Sequence, residues 1–193
     1  MRAFERRKRG RVRGEFEPAE AALLVNLLSQ IVELLRDRNG PEESSPDPLF
    51  GQLGATGSSL PPDDPVLRRL LPDAYRDDDE AAGDFRRFTE RSLSSAKVEN
   101  AQAVVASLAA GGFDLEDPER SEDPVEVELG DRAVQAWLRA LTDVRLALAV
   151  RLGIESEEDA EAAADSDDEA VSVVVDIYEW LGFVQDSLVQ VLD

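Results

Sequence analysis

Residues 125–153, VEVELGDRAVQAWLRALTDVRLALAVRLG, change their hydrophobic period within one stretch. Val125, Val127 and Leu129 alternate with Glu126 and Glu128, the period-two pattern of a half-buried strand. From Gly130-Asp131 onward, Val134, Trp137, Leu138, Leu141, Val144, Leu148 and Leu152 recur every three or four residues, which predicts a helix ended by Gly153. A lone strand must find a partner, because its backbone donors and acceptors are otherwise unmatched. The other strand-like segments lie at the far end of the chain. Ala3–Arg7 and Arg11–Phe16 read as a hairpin turning at Lys8-Arg9-Gly10, with Phe4, Val12, Gly14 and Phe16 on the inner face.

Everything else reads as helix or loop. Glu17-Pro18 opens a helix carrying Leu24, Leu27, Leu28, Ile31, Leu34 and Leu35, closed by Asn39-Gly40-Pro41. Residues 39–64, with five prolines and four glycines, predict a long flexible loop holding at most one turn from Asp47-Pro48 to Leu53. Asp64-Pro65 starts a short helix through Leu71 that Pro72 stops. Residues 79–110 predict a helix in two pieces, the first anchored by Phe85 and Phe88 and the second capped by Thr89. The second piece carries a stripe of Leu93, Ala96, Ala101, Val104 and Leu108. Residues 155–169 read as an acidic loop. A last helix from about Asp168 to Leu192 is apolar on more than one face, so it requires a central place in the core or a covering partner, which makes a homodimer conceivable. The expected fold is mainly α, a bundle of about four long helices plus short ones, with a small three-stranded antiparallel sheet made from the hairpin and strand 125–129. The whole chain, 1–193, is expected to form a single domain.

Composition narrows the chemistry. The chain has 193 residues, no cysteine and no histidine, so disulfides, thiolates, Cys/His zinc sites and imidazole-based triads have no residues to use. Its net charge is −21, against which nucleic-acid binding is unfavourable except through a partner. Only Lys8 and Lys97 are lysines, a bias that suits a GC-rich genome or a salt-adapted surface. No run of 18 apolar residues and no signal-like apolar segment occur, so the expected location is the cytoplasm, with no membrane span. Charge is also polarised. Residues 1–14 carry +6, which leaves −27 on the rest, and residues 155–169 hold nine acids and no base.

Candidate sites are therefore few. Arg6, Arg7, Lys8, Arg9, Arg11 and Arg13 form a basic patch that could contact phosphate or an acidic surface. The competing reading places Arg11 and Arg13 beside Glu126 and Glu128 within one sheet, where opposite charges neutralise each other. Arg86, Arg87, Arg145 and Arg151 sit in apolar helices. They are candidate partner-binding residues, either as internal ion pairs that set helix register or as the floor of a groove for an acidic ligand. Asp77-Asp78-Asp79-Glu80 and the 155–169 run lack the ligand spacing of a calcium loop. Gly51–Gly57 lacks the preceding strand and the lysine of a phosphate loop. With 42 acids, paired carboxylates carry no signal, so no catalytic, metal or cofactor residue is assigned and an enzyme is not expected.

Several short stretches, in order along the chain, resemble an actinobacterial family catalogued as a domain of unknown function that includes the oxidative-stress transcriptional regulator AosR. They are Met1-Arg2-Ala3-Phe4, Glu17-Pro18-Ala19-Glu20-Ala21, Arg69-Leu70-Leu71-Pro72-Asp73-Ala74-Tyr75, Phe85-Arg86-Arg87-Phe88-Thr89 and Lys97. Toward the C-terminus follow Leu141-Thr142-Asp143-Val144-Arg145-Leu146, Arg151-Leu152-Gly153, Tyr178-Glu179-Trp180-Leu181 and Gln185-Asp186-Ser187-Leu188. The resemblance implies a cytoplasmic, non-enzymatic regulator that works with a sigma factor or RNA polymerase in transcription. It also implies a cysteine-pair redox sensor, which this chain lacks, since sensing by that route needs a thiolate. DNA binding through the basic hairpin and an adaptor role in protein quality control are the alternatives.

Overall fold

The alternating residues at both ends of the chain meet in one sheet. In a computed structural model that describes residues 1–7, 10–40 and 58–192, β1 (Arg2–Arg6), β2 (Val12–Phe16) and β3 (Val125–Leu129) pair antiparallel in the order β1-β2-β3. Val12 stands opposite Leu129, Gly14 opposite Val127 and Phe16 opposite Val125, so one face of the sheet is apolar throughout. Phe4, Val12 and Phe16 are buried, as the alternation predicts. Gly10 takes φ +75° at the hairpin turn, a conformation that side-chain-bearing residues adopt at a cost. Gly14 is small for a different reason: the Phe4 ring lies over it, where a Cβ would overlap the ring.

Among the described residues there are six α-helices: α1 (Pro18–Asn39), α2 (Pro65–Leu70), α3 (Asp79–Ala110), α4 (Asp131–Leu152), α5 (Glu157–Ala164) and α6 (Glu169–Gln190). The fold is mainly α with a small sheet, as expected. α4 is the hub and packs against α1, α2, α3, α6 and β3. Its Trp137, wholly buried, stacks on Phe16 at 5.5 Å between ring centroids and meets Phe4 edge-on at 5.8 Å. Such ring pairs add about 0.5–1.5 kcal/mol each beyond area burial, and here they fasten the sheet to the helical body. α1 is long and apolar enough to cross a membrane by composition alone. In this fold its Ala21, Leu24, Leu28, Ile31 and Leu35 lie in the core.

Three expectations are corrected. First, residues 79–110 form one uninterrupted helix. Thr89 caps nothing: its hydroxyl donates back to the Phe85 carbonyl at 2.8 Å, a bond made within a continuing helix. Phe85 and Phe88 are 45% and 64% exposed, and Leu93 and Ala96 also face outward. The inner face of this half carries Arg86, Glu90 and Ser94 instead. Second, the acidic loop 155–169 contains α5. The Ser156 hydroxyl accepts from the Asp159 backbone at 3.3 Å, and Asp159 accepts from the Ser156 backbone at 2.9 Å, a reciprocal cap that starts a helix. Acids in the first turn and alanines behind it favour that helix. Third, α6 is apolar on more than one face, as expected, but it is not central: Val175, Leu181, Val184 and Leu188 are buried, Val174, Ile177, Tyr178 and Trp180 are partly buried against the core, and Val173 and Val189 are exposed. Phe183, half exposed, lies on the outer side with Asp176, Glu179 and Asp186.

The turn expected at Asp47–Leu53 and the Gly51–Gly57 segment lie outside the described residues, as does most of the Pro/Gly-rich loop 39–64.

Candidate functional site

Four described arginines of the hairpin are paired within the sheet. Arg11 pairs with Glu128 at 3.0 Å, Arg13 with Glu126, Arg2 with Glu15 at 3.2 Å and Arg7 with Glu5 at 3.3 Å. Arg6 is exposed at the end of β1, and Lys8 and Arg9 lie outside the described residues. Arg7, Arg11 and Arg13 do line a broad groove of about 1020 Å³, but Glu126 and Glu128 line it with them. Each such pair stabilises by a few tenths to about 1 kcal/mol, and the net charge presented there is small.

Arg86 is 7% exposed and belongs to a closed ion network. Its guanidinium donates to Asp73 and to the Ser59 carbonyl, and its Nε, 3.8 Å from Glu90, is buried without a hydrogen bond. Glu90 in turn accepts from Arg38 of α1 at 2.7 Å, while Arg38 donates to the Leu60 carbonyl at 2.6 Å. Two arginines thus face two carboxylates, and the cluster ties α1, α3 and the segments at 58–60 and 73 together. One turn further along α3, Ser94 accepts from Asn39 at 3.0 Å. Next, Lys97 donates to Asp143 of α4 at 2.5 Å. Burial pushes the Asp143 carboxyl above its ordinary value of 3.8, and the Lys97 hydrogen bond and charge offset only part of that. Arg86, Glu90, Ser94 and Lys97 recur at helical spacing, so the stripe was present in the sequence. Reading apolar residues alone misses it.

Arg145 is held differently. Its Nη1 donates to the Gln185 side-chain oxygen at 2.9 Å, and its Cζ lies 4.9 Å from the centre of the Tyr178 ring. The Gln185 amide nitrogen donates to Thr142 at 2.7 Å, which fixes the amide so that its oxygen faces the arginine. Arg145 Nε is buried without an acceptor, and no carboxylate lies within ion-pair distance among the described residues. An open groove of about 420 Å³ runs past it, walled by Leu146, Ala149 and Ile154, with Arg69 of α2 on its lining and Glu155 and Glu157 also there.

The four helix arginines are not brought together. Arg87 is half-buried, its guanidinium 5.9 Å from the centre of the Phe88 ring, and Arg151 reaches Gln30 at 3.5 Å on the surface. Sequence reading missed Arg69, Gln185 and Tyr178, because they join Arg145 only through the packing of α2 and α6 on α4. Among the described residues no three carboxylates gather as a metal site.

Over residues 1–192 the chain matches the family described as "Domain of unknown function (DUF2017)". The protein named oxidative stress regulator AosR in Mycobacterium tuberculosis (strain ATCC 25618 / H37Rv) is 33% identical over 97% of this chain and 85% of its own length. The Mycobacterium bovis protein of that name matches to the same extent. A Mycobacterium leprae relative is 34% identical over 94% of this chain and 82% of its own length. No solved structure matches. The chain belongs to the DUF2017 family, which agrees with the resemblance carried by its short motifs.

Proposed function

We propose that this DUF2017 protein is a regulatory protein of the cytoplasm that acts by binding another protein, with no enzymatic chemistry of its own. The finer reading is a partner in the transcription machinery, a sigma factor or RNA polymerase. The regulatory part is supported by likeness to proteins named oxidative stress regulators over nearly the full chain. The observation that carries the mode of action is the pairing of Arg11 and Arg13 with Glu128 and Glu126. It matches these two hairpin arginines internally, which, in a chain of net charge −21, favours meeting partners through acidic surface. An acidic face docks favourably on a basic, DNA-facing surface, gaining chiefly in association rate. The sequence contains no cysteine, so oxidation of a thiol is not the input.

The test is direct binding of the purified protein to purified RNA polymerase and to individual sigma factors, at low and at high salt. A complex that weakens as salt rises is expected. Binding indifferent to salt argues against the acidic docking surface, and no complex with any of these proteins removes the transcription reading. A gel shift with DNA alone at low salt would restore the hairpin as a nucleic-acid site.

A further inference from the structure

Arg145 and Arg69 line one groove, and neither has a carboxylate partner among the described residues of a chain with twice as many acids as bases. We propose that this groove between α2, α4 and α6 binds a small molecule through one oxyanion head, a carboxylate or a phosphate, held by the Arg145 and Arg69 guanidinium groups.

The seat around Arg145 is built. Tyr178 covers the guanidinium, and Gln185, itself held by Thr142, takes one N–H. The Thr142 hydroxyl is committed too, donating to the Leu138 carbonyl at 2.8 Å while accepting from Gln185. Gly182 of α6 keeps its side clear: a Cβ there would already stand 3.7 Å from the guanidinium, and any longer side chain would enter its space. Every neighbour that orients the arginine is neutral, and its Nε is buried without an acceptor, so no carboxylate balances its charge. A guanidinium with a buried Nε and no carboxylate to offset its desolvation is a locally unfavourable choice where α4 packs on α6. Positions that spend stability in this way are those at which a protein binds something.

The lining defines the ligand. Arginine presents a planar fork that matches the oxygens of carboxylate and phosphate. Leu146, Ala149 and Ile154 offer an apolar wall for the body of the molecule, and about 420 Å³ is the volume of a metabolite-sized site. Glu155 and Glu157 on the same lining disfavour extended polyanions, which restricts the head to one charged group. Such a site gives a chain without cysteine a route for a small-molecule signal, whatever its protein partner is.

The test is titration of the 15N-labelled full chain with inorganic phosphate and, separately, with butyrate, each against sodium chloride at matched ionic strength. The expected result is a saturable shift of the Arg145 Nε–Hε and Gly182 amide signals with at least one probe and not with chloride. Phosphate-only or butyrate-only saturation identifies the head group. Arg69→Gln and Arg145→Gln should each weaken binding roughly tenfold or more, the loss of one charge-assisted contact. Arg69 is exposed, so its variant leaves folding intact even where Arg145→Gln does not. No saturable shift with either probe, the same shifts with chloride, or unchanged affinity in Arg69→Gln overturns the proposal.

Discussion

Arg86 on α3 ends against Asp73 and near a Glu90 shared with Arg38, whereas Arg145 on α4 ends between a glutamine amide and a tyrosine ring. Both are arginines in apolar helices and read alike in the sequence. The first has its charge balanced by Asp73 and Glu90 and joins α3 to the segments at 58–60 and 73, although its Nε, like that of Arg145, is buried without a hydrogen-bond acceptor. The second is oriented with the same care by groups that carry no charge. A compensated arginine is part of the scaffold; an oriented, uncompensated one is available to a ligand. The two differ in burial, Arg86 buried and Arg145 half-buried, and above all in charge balance.

The largest effect that would break this contrast concerns Arg86. Arg86→Met leaves Asp73 without its partner and weakens the Glu90 cluster, and urea unfolding should show a loss of about 3 kcal/mol. Arg145→Met should change stability by less than about 1 kcal/mol in either direction, since no carboxylate is stranded. Equal losses in the two variants would erase the distinction.

Lys97 and Asp143 provide an intermediate case, a buried pair of one charge each. Lys97→Met should cost about 2 kcal/mol at neutral pH, by leaving Asp143 buried and unpaired. The Asp143 carboxyl already titrates above its ordinary value because of burial, so the folded chain holds its proton more readily than the unfolded one. Its contribution to stability therefore improves as pH falls through its folded pKa and is least favourable at neutral pH. Stability of Lys97→Met against pH should recover on acidification more steeply than that of the parent, and Asp143→Asn should remove this component. A flat profile would show that the pair is not buried in solution.

Smaller still is the matched hairpin. A double-mutant cycle on Arg13 and Glu126 should give a coupling of about 0.5 kcal/mol that vanishes at high salt. The smallest change is at α5. Asp159 is held below the ordinary carboxylate range, first by the Ser156 hydroxyl and then by the Glu155 and Ser156 backbone N–H groups. Its contribution is present at neutral pH and lost as pH falls through its folded pKa. Asp159→Asn should quicken amide exchange at Glu155 and Ser156 while the rest of the protein is unmoved.

The sequence by itself determined the elements and their partners in the sheet. Period-two alternation at 125–129 demanded a strand, and the hairpin was the available mate, so the Arg11, Arg13, Glu126 and Glu128 cluster followed from pairing rules that act over neighbouring residues. The caps at Asp64 and Gly130, and the breaks at Gly40 and Gly153, were legible because each acts within one turn. The inner face of α3 was misread because its buried stripe is charged, and a charged residue is core only when a partner on another helix neutralises it. Likewise, nothing local told Arg86 from Arg145. Their surroundings come from residues 13 and 40 positions away, Asp73 and Gln185, brought in by helix packing. Tertiary structure decided which arginine is balanced, because charge compensation in space depends on distances that no spacing along the chain encodes.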